Sequence, residues 1–477
     1  MNDIKKDILK GVKWTAFERI SMQGMQFLIG IILARLLDPS DFGIIGMMIM
    51  FITLSNTFVD GGFSNALIRK IDCDEKDYST AFYFNIVVGI VCYAILFLCS
   101  SFIASFFNTP VLSRLLKVLA LTLFINSLSV VHIAKLSREI NFKVQAQATF
   151  IGVLLSGVFG IALAYKGYGV WSLVFQQVAN SIIKVFVIWI KAHWKPMMVF
   201  SKESFKALFG YGSKILASNL IGTIYTQMST ILIGKYYTTS DLGYYSRGQQ
   251  FAHLPTVAIT DVLGKVTFPI LSRYQNDDQK LVPVYRKYTS ITSMVIFFCM
   301  TLLASLAKPF VLVLLSDKWE SSVIFLQIFC FSYMFEHISK LNLNLLQVKG
   351  RSDLYLRLEI IKKVIGFTLM VCAIPFGVIA ICVSALIYSQ ISLAINTYYT
   401  GKLFGLGYFK QMGDYIKYFL LSILACTPGY VISFSSVPCL LQLLVGVLLA
   451  VILYLVTICK DNSFKELTAI IVKKKNK

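Results

Sequence analysis

Arg19, Gln23, Gln26 and Gly30 recur at helical spacing inside an apolar run from Trp14 to Leu37. On a 3.6-residue period they share one stripe, and the opposite face is apolar. A run of that length crosses a hydrocarbon core of about 30 Å, where a cation is tolerated only against protein or water. Arg19 therefore has two readings. It reaches back to the interface or pairs with Glu18, or it presents its forked donors to a phosphate, which a pyrophosphate would satisfy well. Lys214, Arg247, Lys362 and Lys363 are further cations in or at the ends of apolar runs, and with Gln23 and Gln26 they complete a candidate anion-binding set. Arg247, Gln250 and Asp261 fall on one helix face. Asp60 and Asp261 close corresponding runs and read as helix caps or ion-pair partners, with ion coupling as the functional alternative. Glu336 and His337 echo the His132 and Lys135 region; packing or gating is the plainer reading, proton coupling the sharper one.

Catalytic signatures are missing from the sequence. It has no phosphate-cradling glycine loop followed by lysine, no HExxH and no GxSxG, so neither nucleotide-driven pumping nor hydrolysis by this chain is expected. The ten cysteines form no CxxC pair and mostly sit in apolar runs, which gives neither a metal site nor a disulfide framework. No cofactor is expected.

Composition sets the class. With 57% hydrophobic and only 14% charged residues, the chain is not an ordinary soluble enzyme but a polytopic membrane protein. The net charge of +21 lies in short connections between apolar runs, the pattern of the positive-inside rule rather than of nucleic-acid binding. About fourteen spans are expected, at roughly 14–37, 42–60, 80–104, 112–134, 146–165, 169–190, 208–234, 242–264, 288–315, 322–345, 355–375, 377–398, 414–434 and 438–459. Lysine and arginine gather in alternate connections, which predicts both termini in the cytoplasm and the tail Lys473-Lys474-Lys475 at the anionic inner surface.

The first span has a counterpart later in the chain. Arg35 and Ser40-Asp41-Phe42-Gly43 are answered by Lys235 and Ser240-Asp241-Leu242-Gly243, then His132-Ile133-Ala134-Lys135 by His337-Ile338-Ser339-Lys340, at a displacement that drifts slowly. Such a drift marks an internal duplication. The expected fold is therefore all-α, about fourteen transmembrane helices in two pseudo-symmetric six-helix lobes plus a terminal helix pair. Residues 1–195 form the first lobe, 196–402 the second, 403–460 the extra pair and 461–477 a basic cytoplasmic tail. A working site is expected between the lobes, where Lys214 would face Arg19. At the duplicated positions of the first stripe stand Asn219, Thr223, Thr226 and Thr230, so polarity returns without the cation.

The opening WTAFER, then LARLLDPSDFGIIG, VDGGFSNALIRK and REINF near Arg138, resemble the Wzx-type polysaccharide flippases of the MOP exporter superfamily, which includes the colanic and teichuronic acid exporters. The resemblance runs over essentially the whole chain. It implies a MATE/MurJ-like fold and a secondary transporter of the inner membrane, not an enzyme. It further implies that an undecaprenyl-pyrophosphate-linked oligosaccharide is moved outward by alternating access for capsule, O-antigen or exopolysaccharide assembly. The implied partners are that lipid carrier, membrane lipids and polymerase or assembly proteins. Of the candidate cations the resemblance carries over only Arg19. Rival expectations are a MATE-like ion-coupled antiporter, which would favour an acidic aromatic cavity, and a scaffold or glycosyltransferase of a polysaccharide assembly complex.

Overall fold

The computed structural model of the protein describes residues 22–461 and 464–465, apart from the side chains at 257–259, 261–266, 268 and 269. Among the described residues the regular structure is helical, with no strand. Packing divides the chain into one unit reaching to Gly243 and a second beginning at Tyr244.

The first unit contains α1 (Met22–Leu36), α2 (Pro39–Asp60), α3 (Phe63–Arg69), α4 (Glu75–Phe106), α5 (Val111–Leu119), α6 (Leu121–Ser127), α7 (Val130–Arg138), α8 (Phe142–Tyr165), α9 (Val170–Ala192) and α10 (Lys202–Tyr236). Helix α11 (Thr239–Arg273) begins in the first unit and continues into the second. The second unit then holds α12 (Asp278–Ser305), α13 (Ala307–Leu314), α14 (Ser322–Tyr333), α15 (Glu336–Val348), α16 (Ser352–Ala373), α17 (Val378–Phe404), α18 (Tyr408–Ile432) and α19 (Cys439–Ile458).

Among the described residues ten helical stretches are long and apolar enough to cross a membrane. Three long helices miss that mark on composition: α10 with its Asn, Thr and Gln residues, α11 with Arg247 and Asp261, and α16 with Lys362 and Lys363. They are the helices that carry the candidate cations of the described chain.

The described helices follow the expected spans with three departures: 288–315 is broken at Leu306, 322–345 is broken between α14 and α15, and 112–134 is broken twice. The stretch 112–134, expected as one span, is three pieces, α5 to α7. Hydroxyls bond back to the backbone at both breaks, Thr122 to Leu119 O at 2.7 Å, Ser127 to Phe124 O at 2.7 Å and Ser129 to Asn126 O at 3.0 Å. Such bonds compete with the helical ladder. At the second break Trp189 Nε1 donates to Leu128 O at 2.9 Å, so the carbonyl freed at membrane depth still has a partner. In the second unit the break between α14 and α15 stands at the duplicated place, just before His337 as the other stands just before His132.

Candidate functional site

The candidate surface of the first unit is set by the antiparallel pair α2 and α10. Each of these helices starts from a device its sequence spells out. Asp38 and Asp41 form a capping box at the start of α2, and Ser201 accepts from Ser204 N at 3.2 Å at the start of α10. The pair is tight because glycines sit at its crossings. A Cβ on Gly62 would lie 2.3 Å from Gly212 O, and one on Gly234 would meet Met47 and Phe107. Midway, Thr57 Oγ1 and Thr223 Oγ1 share a hydrogen bond of 3.3 Å. Where α2 and α11 begin, the contact is reciprocal: a Cβ on Gly43 would stand 1.8 Å from Thr239 O, and one on Gly243 would stand 2.0 Å from Pro39 O. The last glycine of each duplicated tetrad thus packs on the residue just before the other tetrad. Asp41 accepts from Asp38 N, and Asp241 accepts from Thr238 N, in matching caps.

The α10 face carries the polar stripe at the duplicated positions. Asn219 and Thr226 are exposed, and Thr223 is half-buried through its bond to Thr57. Lys214 is exposed two residues beyond the Gly212 crossing and makes no hydrogen bond or ion pair among the described residues. On α1, Gln23 is half-buried and Gln26 exposed. Arg19 lies outside the described residues. Asp60, at the end of α2, accepts from the Ser64 hydroxyl. Arg69, at the end of α3, stacks its guanidinium 4.3 Å from the Tyr211 ring centre.

In the second unit the candidates separate by environment. Arg247 is buried in α11, donates to Gln250 Oε1 at 2.7 Å and lies 5.9 Å from the Trp319 ring centre. The side chain of Asp261 lies outside the described residues. Lys362 is buried and ion-paired with Glu359 three residues before it, while Lys363 is half-buried. Glu336 pairs with Lys340 at 2.9 Å, and His337 is buried with its Nε2 2.9 Å from Ser293 Oγ. The acid and the imidazole thus turn to different partners.

Residues 32–324 match the family described as polysaccharide biosynthesis protein. The chain belongs to that family. It is 24% identical over 357 residues to the teichuronic acid biosynthesis protein TuaB of Bacillus subtilis, covering 74% of each chain. It is 23% identical over 361 residues to the lipopolysaccharide biosynthesis protein WzxC of Escherichia coli, covering 75% of this chain and 73% of that one. Among solved structures it is similar to the lipid II flippase MurJ in an inward closed conformation, with a TM-score of 0.77 at 16% identity over 94% of this chain and 99% of that chain. A multidrug resistance MATE transporter of the MOP superfamily superposes at a TM-score of 0.60 and 15% identity over 81% of this chain. This member of the polysaccharide biosynthesis family is therefore a multi-pass membrane protein with the MOP fold.

Sequence reasoning missed much of the polar structure that braces this family member. In the first unit Glu75 accepts from Lys135 Nζ at 3.1 Å and from Trp194 Nε1 at 2.5 Å, while Lys70 reaches Asp77 at 2.5 Å. That carboxylate holds the Lys70 amine above its ordinary range. The connection after α9 is strapped to α4, since Met197 N donates to Ser79 Oγ at 2.9 Å and Ser201 N donates to Thr80 Oγ1 at 3.0 Å. In the second unit Gln411 Oε1 accepts from Tyr285 and from Asn342 at 2.9 Å each, and Asn342 Oδ1 accepts from Thr400 at 2.8 Å. The only hint in the sequence was the Asp74-x-x-Asp77 cap; the rest joins residues far apart in the chain. Functionally, the arrangement offers cation and amide donors to an anion, and the bracing networks consume their own charges.

Proposed function

We propose that the protein is a secondary transporter that moves a lipid-linked oligosaccharide across the bacterial cytoplasmic membrane. Undecaprenyl pyrophosphate is the carrier, and alternating access of two lobes, 1–195 and 196–402, is the mechanism. The observation that carries this reading is the pairing, in one chain, of membership in the polysaccharide biosynthesis family with the fold of a lipid II flippase over 94% of its length. The chemistry is consistent with it. The pyrophosphate needs cations at membrane depth, and Arg19 with Gln23 and Gln26 on the first span, joined by Lys214, supplies donors of the right kind. Lys214 is the described candidate best suited to bind, because it is exposed and spends its charge on no neighbour. Lys363 and Arg247 are secondary contacts, and Lys362 contributes only if substrate displaces Glu359. Asp60, Asp261, Glu336 and His337 are candidates for ion coupling or gating. The termini are cytoplasmic, 403–460 is an accessory pair, and polymerase or assembly proteins take the product.

A drug antiporter of the same fold is the second reading. It would require an acidic cavity, and the exposed candidates on α10 are cationic or neutral. Arg19→Ala and Lys214→Ala separate the two. Each variant should stop polysaccharide export and leave lipid-linked repeat units on the cytoplasmic leaflet at unchanged protein level. Full export in both variants would refute the binding surface, and drug efflux without lipid-linked accumulation in a deletion strain would favour the antiporter.

A further inference from the structure

Three connections of the first unit meet at one end of it. Residues 70–74 lead into α4, 139–141 join α7 to α8, and 193–201 join α9 to α10. Hydrogen bonds tie them down: Arg138 Nη2 donates to Ile71 O at 2.5 Å, Trp194 Nε1 donates to Glu75, and Met197 N and Ser201 N donate to the hydroxyls of Ser79 and Thr80. Each connection turns an apolar side chain outward all the same. Met198 is 97% exposed, Ile71 86% and Ile140 63%. Ile140 does so from a φ of +57°, a backbone conformation that β-branched residues rarely adopt. Met197, Val199 and Phe200 are exposed beside Met198, so this tip is a patch rather than a stray residue.

Cations stand beside each tip. Lys70 and Lys76 flank Ile71, Arg138 and Lys143 flank Ile140, and Lys195 and Lys202 flank the patch at 197–200. From His193 to Lys206 the chain carries Lys195, Lys202 and Lys206 against one acid, Glu203. All three lysines are exposed, and none makes a hydrogen bond or ion pair among the described residues. Apolar side chains bracketed by free lysines are the chemistry of a segment that seats in an anionic headgroup layer.

The straps fix the depth of the patch. Helix α4 has 32 residues, about 48 Å of helix against a hydrocarbon core of about 30 Å, so roughly six residues overhang at each end when it is centred. Ser79 and Thr80, which hold Met197 N and Ser201 N, are the fifth and sixth residues of α4 and fall at that boundary. The apolar span of α9 ends at Ala192, just before the patch. Both neighbours therefore put residues 197–200 level with the lipid headgroups.

We infer that the connection 193–201 docks on the anionic phospholipid surface of the bilayer, with Met198 and Phe200 entering the acyl boundary and Lys195, Lys202 and Lys206 engaging lipid phosphates. Ile71 and Ile140 are outlying contacts of the same footprint. The contact pins the junction of α9 and α10 to the membrane plane, and it uses none of the residues assigned to the transported substrate.

The test uses the full-length protein in nanodiscs that hold one copy each, so that only lipid can cover the patch. Hydroxyl radicals are generated in the water, and oxidation of Met198 is compared by mass spectrometry with that of a methionine in an unstructured peptide in the same sample. Protein covers almost none of Met198, so protection there reports lipid. Burying a methionine side chain is worth about tenfold or more in the local equilibrium, and Met198 should be protected by about that factor in discs containing phosphatidylglycerol. Each lysine near an anionic surface contributes about fivefold. Protection should therefore fall to about twofold in discs of phosphatidylcholine alone, and likewise in phosphatidylglycerol discs when Lys195→Gln, Lys202→Gln and Lys206→Gln are combined. Oxidation of Met198 at the peptide's rate in phosphatidylglycerol discs, or equal protection in the two lipids, would overturn the inference. The lipid exchange needs no substitution, so it decides the matter even if the triple variant fails to fold.

Discussion

Gly43→Ala tests the reciprocal contact at the starts of α2 and α11. A Cβ at this position would lie 1.8 Å from Thr239 O and 2.7 Å from its carbonyl carbon, and both atoms are backbone, so no side chain can swing aside. Restoring ordinary contact requires the two helix starts to separate by on the order of 1.5 Å, through surroundings where Ile45, Met48 and Leu242 are all buried. Overpacking of this kind costs about 1–3 kcal/mol, and alanine's better helix propensity returns about 1 kcal/mol. Gly222→Ala is the matched control, because a Cβ there meets nothing within 4 Å and only the propensity gain remains. The propensity gain is common to both, so the two variants should differ by about 1–3 kcal/mol, which for a unit of this size is a melting difference of about 2–12 °C. Gly243→Ala, whose Cβ would stand 2.0 Å from Pro39 O, should behave like Gly43→Ala. The assay is thermal unfolding in detergent followed by size-exclusion chromatography. If Gly43→Ala melts at the same temperature as Gly222→Ala, the glycine contact is not holding these helices together and the reasoning fails.

Three further outcomes are expected. Lys362→Met strands Glu359 in a partly buried site and should cost about 3 kcal/mol, whereas Lys362→Met with Glu359→Leu should recover most of it in the same melting assay. Recovered stability without recovered export would assign Lys362 to the substrate, and recovery of both would make the pair purely structural. Lys70→Met removes the partner of buried Asp77; because a third of the lysine side chain is in solvent, the loss is discounted to about 1–2 kcal/mol. The pairing raises the Lys70 amine above 10.5, so its stabilisation is complete at neutral pH and is lost only as pH climbs through the raised value; a melting profile that falls between pH 6 and 8 on this account would contradict the assignment. Trp189→Phe deprives Leu128 O of its donor at the break between α6 and α7 and should lower stability by about 1–2 kcal/mol, read by the same melting assay; an unchanged melting point would mean that water already serves that carbonyl.

The helices were legible in the sequence because membrane spans are written in composition: α8, α9 and α19 begin and end within four residues of the expected runs, and α4, α17 and α18 overrun theirs by five or six at one end. The duplication was legible too, since Ser40-Asp41-Phe42-Gly43 and Ser240-Asp241-Leu242-Gly243 keep both their spelling and their caps. What hydropathy could not show was the breaking of 112–134 into three, because Thr122, Ser127 and Ser129 act through hydrogen bonds that a window average does not register. Side-chain pairing was equally hidden. Lys362 and Lys214 look alike in the sequence, yet one is spent on Glu359 and the other is exposed without an ion partner among the described residues, a difference set by helix rotation. The carboxylate of Asp77 and the amides of Asn342 and Gln411 could be assigned only once distant segments were seen to meet.

The glycine-on-carbonyl contact also bears on ancestry. Residue 43 touches 239 as residue 243 touches 39, which is the bookkeeping of an isologous interface between two copies of one polypeptide. A single-copy forebear could have made the same handshake between separate chains, and fusion would then have turned a homodimer seam into an internal joint. Any growth at residue 43 must still be met by a shift at 239, and any at 243 by a shift at 39, so the joint constrains both halves of the gene together.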